Sequence, residues 1–206
     1  MAEMYNRPSL EAPTLEIEDK TIRTLMSILY EKSSREEQHS RRVSDYCYAL
    51  GRQLGLSVDD SVRLAKIGLL HDIGKISIPN AILDKPGRLL PLEWEEIQEH
   101  PVNGHRFLSA VVGMEEVAET VLCHHERLDG EGYPHGIRGQ QIPLNARIVA
   151  VADAYDAMVS ARPYRHRLTP EQALEELRRG AGTQFDPDIV QAFLELLEAM
   201  DQELHA

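Results

Sequence analysis

The chain has 206 residues, of which 42% are hydrophobic and 27% charged, a composition typical of one globular domain with a full-sized core. Its formal net charge of −12 argues against duplex nucleic acid or an anionic membrane as the main partner, because both would be repelled. No apolar run approaches the roughly 20 residues of a membrane span, and the N-terminus has no signal-peptide pattern. We therefore expect a cytoplasmic protein in which Cys47 and Cys123 are reduced core residues.

The predicted elements are all helices. Residues 1–18 contain two prolines and no clear period, so we expect a tail or linker there, with one domain over residues 19–206. Apolar spacing and capping residues predict helices over about 22–33, 35–54, 57–72, 91–100, 102–108, 115–124, 145–159, 170–178 and from 187 onward. Residues 129–139 hold four glycines and a proline, which predicts a long loop with fixed turns. Because no strand pattern is present, the predicted fold is all-α, a single helical bundle.

The pair His71-Asp72 follows an apolar stretch, residues 64–70, that has the density of a buried helix. Burying an ionised carboxylate there costs several kcal/mol unless something pairs with it. A divalent metal ion is a favourable partner, because imidazole nitrogen and carboxylate oxygen are both ligands for transition metals. An isolated pair of this kind is more often a satisfied core histidine beside a helix-capping aspartate, so the interpretation depends on further ligands.

Further candidate ligands lie in or beside apolar helical runs: His39, His100, His124, His125 and Asp153. Adjacent helical residues diverge by about 100° around the axis, so His71 and Asp72 fit a centre with two metals better than one small site. Asp72 has two oxygens with which to bridge such metals. The alternative, a set of unrelated core histidines, has to explain every buried ligand type separately.

Short motifs occur in a fixed order along the chain: His39-Ser-Arg-Arg-Val, His71-Asp-Ile-Gly-Lys75, Asp84-Lys85-Pro-Gly, His100-Pro-Val-Asn-Gly104, His124-His-Glu-Arg-Leu-Asp-Gly130, Gly132-Tyr-Pro134, Ala146-Arg-Ile, Asp153-Ala-Tyr-Asp156 and Arg162-Pro-Tyr-Arg165. Together they resemble the HD-GYP subfamily of the HD-domain phosphohydrolases. The resemblance implies an HD-domain helical bundle with the glycine-rich loop near the active site. It also implies a bacterial, metal-dependent phosphodiesterase that hydrolyses cyclic di-GMP to pGpG or GMP with iron or manganese. Such domains commonly follow a sensory or receiver module, so a sensory, receiver or GGDEF-type signalling partner is expected.

The resemblance also implies a role for each matching residue. One metal would be held by His39, His71, Asp72 and Asp153, and the other by the bridging Asp72 with His100, His124 and His125. A water or hydroxide between the two metals would be the nucleophile. The catalytic residues would be Asp72 and Lys75, with Lys75 also contacting the scissile phosphate. The remaining substrate contacts would come from Arg162, Arg165, Tyr133 and Pro134.

One position departs from the family pattern. Some members have a glutamate one helical turn before the first histidine, which supports a third metal, and this position is Arg35 here. A two-metal centre is therefore expected, with a third ion left open through Glu36. Around the ligands, Asp156 is expected to support the centre without binding metal. Glu126 is expected either to orient a ligand imidazole or to be an ordinary solvated glutamate.

Other residues are expected to have no part in the site. The four histidines that match no ligand position, His105, His135, His166 and His205, are interpreted as surface or loop residues. Trp94 is interpreted as core packing rather than as a platform for a nucleobase.

Two other functions stay open on the sequence. A catalytically silent cyclic di-GMP receptor or docking module would keep the fold without turnover. A hydrolase for another nucleotide phosphoester would keep the metal centre, although the Gly132-Tyr-Pro134 and Arg162-Pro-Tyr-Arg165 elements weigh against it.

Overall fold

A computed structural model of the chain describes residues 19–160 and 167–204. The chain folds into ten α-helices within these ranges, with 3₁₀ turns at Ile73–Ser77 and Gly139–Gln141. The α-helices are α1 Lys20–Lys32, α2 Ser34–Gln53, α3 Val58–Leu70, α4 Asn80–Leu83, α5 Pro91–Gln98, α6 His100–Leu108, α7 Glu115–Cys123, α8 Leu144–Val159, α9 Pro170–Gly180 and α10 Pro187–Leu204. The described residues contain no strand, only an isolated bridge between Ala181 and Phe185, so the all-α prediction is confirmed.

Short polar side chains fix where the first three helices begin. Asp19 accepts the backbone N–H groups of the first turn of α1, and Ser33 and Ser57 cap α2 and α3 in the same way. These groups would otherwise be unsatisfied donors, so each cap stabilises its helix by about 1 kcal/mol. The starts of α2 and α3 matter for function because the candidate ligand His39 lies early in α2 and His71 directly follows α3.

The core lies where α2, α3, α8 and α10 meet. Tyr46 from α2, Tyr155 from α8 and Phe193 from α10 form a cluster of edge-to-face rings, with centroids 5.1–5.6 Å apart. All three side chains are at most 1% exposed, and burying each contributes roughly 1.5–3 kcal/mol. Cys47 and Cys123 are free and buried, as predicted. The cluster holds α2 against α8, the two helices that carry His39 and Asp153.

The turn between α5 and α6 differs from the prediction. The sequence predicts one helix over residues 91–100 and the next from 102, but α5 already ends at Gln98 and α6 begins at His100, with Pro101 in its first turn. Proline is accepted there because the N–H it lacks has no partner inside a helix. No helix among the described residues is long and apolar enough to cross a membrane.

Candidate metal centre

The chain changes its helical geometry directly after α3. His71 is the last residue to follow the α-helical path, and a 3₁₀ turn covers Ile73–Ser77. With about three residues per turn, this geometry aligns positions three apart, so Lys75 lies over Asp72. The distance between Lys75 Nζ and Asp72 Oδ2 is 2.6 Å. A continuing α-helix would also place residues three apart on one face, but the structure reaches this arrangement through the 3₁₀ turn.

Asp72 lies between two groups of histidines. Its Oδ1 is 3.2 Å from His100 Nε2, and its Oδ2 is 3.2 Å from His71 Nε2 and 3.5 Å from His39 Nε2. Two sets of ligand atoms are therefore close enough to hold a cation each, and Asp72 belongs to both: His39, His71 and Asp72 on one side, and Asp72, His100, His124 and His125 on the other. Asp153 joins the first side, with Oδ1 3.2 Å from His39 Nε2 and 3.9 Å from His71 Nε2.

Backbone carbonyls orient three of the imidazoles. The Nδ1 atoms of His71, His100 and His124 each lie 2.6–2.7 Å from the carbonyl oxygen of the residue three positions earlier. Because a carbonyl only accepts hydrogen bonds, Nδ1 carries the proton in each ring and Nε2 keeps its lone pair. This arrangement prepares each Nε2 to bind a metal ion.

The surroundings of His71 Nε2 show whether these residues fit a metal ion. This atom is fully buried, and it has no hydrogen-bond partner among the residues that the structure describes. A buried polar atom without a partner costs roughly 1–3 kcal/mol. Four further imidazoles and two carboxylates surround it, a donor set that borderline divalent transition metals prefer. The residues present therefore fit a pair of divalent ions.

His39 is oriented by a carboxylate instead of a carbonyl. Its Nδ1 lies 2.7 Å from Asp156 Oδ2, and Arg42 holds the same carboxylate through two hydrogen bonds of 2.5 and 3.0 Å. Arg42 is one helical turn after His39, a spacing the sequence showed but to which no role was given. A carboxylate behind a ligand histidine fixes the ring and raises its basicity. Asp156 thus lies behind His39 rather than between the two histidine groups.

The charges in the centre divide its histidines into two classes. Burial lowers the pKa of His39, but hydrogen bonds with Asp153, Asp156 and Asp72 outweigh this effect and raise the pKa well above the usual value. On the other side, burial lowers the pKa of His100 to about 4 and that of His125 to about 3. The second side therefore keeps its imidazoles neutral and ready to bind near pH 7, whereas His39 carries a proton when no cation is present.

Lys75 and Glu36 form an ion pair at the edge of the centre. Lys75 Nζ lies 2.8 Å from Glu36 Oε2, and it also contacts Asp72. Burial lowers the pKa of Lys75, but the two carboxylates outweigh it and raise the pKa, so the ammonium stays charged. The acidic group left open for a third ion is thus already neutralised by a cationic side chain.

A glycine sets the distance between the 3₁₀ turn and α6. A Cβ atom on Gly74 would overlap the carbonyl oxygen of His100 and lie 2.5 Å from the backbone nitrogen of Gly104. Only glycine permits this backbone approach, which brings Asp72 to His100. The glycine in His71-Asp-Ile-Gly-Lys75 is therefore explained by the close packing of the 3₁₀ turn against α6.

The glycine-rich loop folds back over the second group of histidines. Gly132 packs against the backbone of residues 125–127, where a Cβ would lie 2.5–2.6 Å from three backbone atoms. Tyr133 follows, and its ring stacks on His125 with centroids 4.8 Å apart. Glu126 fits neither expectation, because it is buried and its Oε1 accepts the backbone N–H of His135 at 2.7 Å. Among the described residues, Glu126 therefore holds the loop.

An open cleft of about 480 Å³ leads to the centre. Its lining includes three residues of the metal centre, His124, His125 and Asp153. Gly132 and Tyr133 from the loop and Trp94 from α5 also line the cleft. The interpretation of Trp94 as core packing is wrong, because its side chain is 47% exposed and faces this cleft. The spacing of residues along α5 indicates on which face of the helix Trp94 lies, but it does not show that a cleft lies opposite that face.

Some predicted residues lie elsewhere. Arg162, Arg165, His166 and His205 fall outside the described residues. Pro134 follows Tyr133 through a cis peptide bond. His135 is exposed and His105 is partly exposed at the surface, as predicted.

Comparison with known proteins agrees with this geometry. Residues 23–189 match the family model described as HD domain. The chain belongs to the HD-domain family. Its resemblance to the HD-GYP phosphodiesterase group is confirmed as well.

Two curated relatives and one solved structure show the extent of the similarity. The chain is 38% identical over 84% of its length to 3'3'-cGAMP-specific phosphodiesterase 3 of Vibrio cholerae, and 45% identical over 74% to the cyclic di-GMP phosphodiesterase response regulator RpfG of Xanthomonas campestris. It covers 37% and 41% of these proteins, so the chain spans about two-fifths of the length of such relatives. The structure of Bd1817, an HDG"Y"P protein from Bdellovibrio bacteriovorus, shares the fold with a TM-score of 0.64 at 21% identity, over 86% of this chain and 60% of that one.

Proposed function

We propose that this chain is a metal-dependent phosphodiesterase that hydrolyses cyclic di-GMP to pGpG, GMP or both. The observation that carries the proposal is the position of Asp72, whose two oxygens face two separate groups of histidines. The names of the relatives support the substrate class, since they include both cyclic di-GMP and 3'3'-cGAMP phosphodiesterases. The carboxylates and imidazoles accept iron and manganese alike.

The candidate ligands would form two groups, one for each metal ion. His39, His71 and Asp153 would hold one ion, and His100, His124 and His125 the other, with Asp72 shared. Bound divalent ions supply a nucleophile near neutral pH by lowering the pKa of water.

Lys75 would stabilise negative charge on the scissile phosphate. Its ammonium is held beside Asp72 and stays charged, and a fixed positive charge in a buried site is effective without reorganisation. Tyr133, which lines the cleft, and the adjoining Pro134 would contact the substrate, and Arg162 and Arg165 would bind phosphate oxygens. Because Glu36 is already paired with Lys75, two ions are favoured over three.

The proposal is tested by turnover with a defined metal. Protein purified anaerobically and loaded with Mn²⁺ or Fe²⁺ is incubated with cyclic di-GMP, 3'3'-cGAMP and a panel of mononucleotides, and the products are separated by chromatography. We expect cyclic di-GMP to give linear pGpG or GMP, and Asp72→Ala to abolish the product. Asp59→Ala is the matched control, because Asp59 is an exposed carboxylate at the start of α3.

Each competing function has its own outcome in this experiment. Faster turnover of 3'3'-cGAMP or of mononucleotides would replace the substrate assignment. Binding of cyclic di-GMP without any linear product in the metal-loaded protein would favour the silent receptor. A signalling partner upstream and a cytoplasmic location stay predictions, and one relative is itself named a response regulator.

A further inference from the structure

The cleft has a second part that the metal centre does not use. Trp94 and Gln98 both line it, and both come from α5, four residues apart. This spacing places the two side chains on one face of the helix, one turn apart. The indole is 47% exposed. The indole therefore presents a flat apolar surface to a cleft whose other lining residues are mostly polar.

The charges along the cleft indicate the orientation in which a ligand would bind. The end nearest the metal centre carries His124, His125 and Asp153, which with bound cations would attract phosphate. Two carboxylates from the glycine-rich loop region, Glu126 and Glu131, also line the cleft and would repel a second anion. The guanidinium of Arg127 lines the cleft too, but it is paired with Asp129 at 2.6 Å. The side chains of Trp94 and Gln98 are neutral. A ligand with an anionic part and a neutral aromatic part therefore fits in one orientation.

We propose that Trp94 and Gln98 form a nucleobase subsite, in which the indole stacks on a purine of the substrate and the Gln98 amide hydrogen-bonds to the edge of that base. This inference rests on the proposed function and adds to it the part of the substrate that is recognised. An indole offers a flat surface to any base. A primary amide both donates and accepts hydrogen bonds, and purine edges present both kinds of group.

The same helix offers a matched control residue. Leu92 is 76% exposed, so it is the more exposed apolar side chain, and it is not part of the cleft lining. If Trp94 acts only through general surface apolarity, Leu92→Ala and Trp94→Ala should have similar effects. If Trp94 stacks on a base, only Trp94→Ala should change substrate binding.

The first test uses the fluorescence of Trp94, which is the one tryptophan in the sequence. Mn²⁺-loaded protein is titrated with GMP and, separately, with ribose 5-phosphate, which carries the phosphate without the base. We expect GMP to quench the indole emission with saturation, and ribose 5-phosphate to leave it nearly unchanged. Equal responses to the two ligands would overturn the proposal, because the base would then make no contact with the ring.

The second test uses kinetics with cyclic di-GMP. Trp94→Ala should raise KM roughly 10–100-fold with kcat within about threefold, since stacking contributes to binding of ground state and transition state alike. Trp94→Phe should recover part of the loss, Gln98→Leu should raise KM less, and Leu92→Ala should match the wild type. Bound manganese should be unchanged in all four variants. A wild-type KM in Trp94→Ala would refute the subsite.

The two tests separate this inference from the proposed function. If the wild type turns over no cyclic di-GMP, the proposed function fails, whereas the fluorescence comparison of GMP with ribose 5-phosphate still decides the subsite. If cyclic di-GMP is hydrolysed and neither the quench nor the KM effect appears, the subsite alone is wrong.

Discussion

Replacing Gly74 by alanine tests whether the close approach of the 3₁₀ turn to α6 builds the metal centre. The new Cβ would overlap the carbonyl oxygen of His100 and lie 2.5 Å from the Gly104 nitrogen, and both are backbone atoms that cannot rotate away. Because Cβ contacts below 3.0 Å essentially never occur, the turn and α6 must separate. We estimate the separation at about 1 Å. Misplacing a catalytic group by this distance can lower the reaction rate roughly 100-fold.

The expected result is a folded protein with a damaged centre. Asp72 Oδ1 and His100 Nε2, now 3.2 Å apart, would separate, so the second ion would be lost first. Stability should fall by about 1–3 kcal/mol or somewhat more, the range for overpacked cores. The measurements are metal content per chain, kcat/KM for cyclic di-GMP and thermal unfolding.

Gly51→Ala is the matched control. Its Cβ would meet the side chains of Ser61 and Leu64 at 3.0 and 3.2 Å, which can adjust, and Gly51 lies at the far end of α2 from His39. It should cost stability while leaving bound metal and kcat/KM near those of the wild type. Two bound ions and unchanged turnover in Gly74→Ala would refute the reasoning.

Three further predictions concern ligands, protons and the support of the 3₁₀ turn. Asp72→Ala removes a ligand from both sides, so bound metal should fall well below that of the wild type; retention of two ions per chain would exclude the shared role. Metal binding should release a proton at pH 7, because the raised pKa of His39 leaves this ring protonated without a cation, so affinity should rise with pH. Calorimetry in two buffers of different ionisation enthalpy measures this release, and its absence would contradict the assignment. Lys32 donates hydrogen bonds to the carbonyl oxygens of Ile76, at 2.9 Å, and Ile78. Lys32→Met should therefore lower kcat several-fold and the free energy of unfolding by roughly 1 kcal/mol. Lys20→Met, at an exposed position, should change neither quantity. Equal kinetics in the two lysine variants would show that Lys32 does not position Lys75.

The sequence by itself determined the helices and the kinds of ligand. Apolar residues three and four positions apart, with capping residues such as Ser57, predicted nine of the described α-helices to within a few residues, because these signals are local. The four-residue α4 was missed, since a single turn is too short to show a helical period. Histidines and aspartates in apolar runs indicated a metal centre, because a buried charge needs a partner wherever the chain folds. The resemblance in motifs then supplied the grouping of the ligands around Asp72.

Only the tertiary structure decided which residues meet across the bundle. Asp156 and His39 are 117 positions apart, and no local signal reports that they lie at 2.7 Å or that Arg42 holds their pair. Likewise, periodicity identifies the apolar face of α5 but not what lies opposite it, so Trp94 was assigned to the core although it faces the cleft. The physical reason is the same in both cases. Secondary structure follows from neighbours along the chain, whereas contacts and exposure follow from how the helices pack.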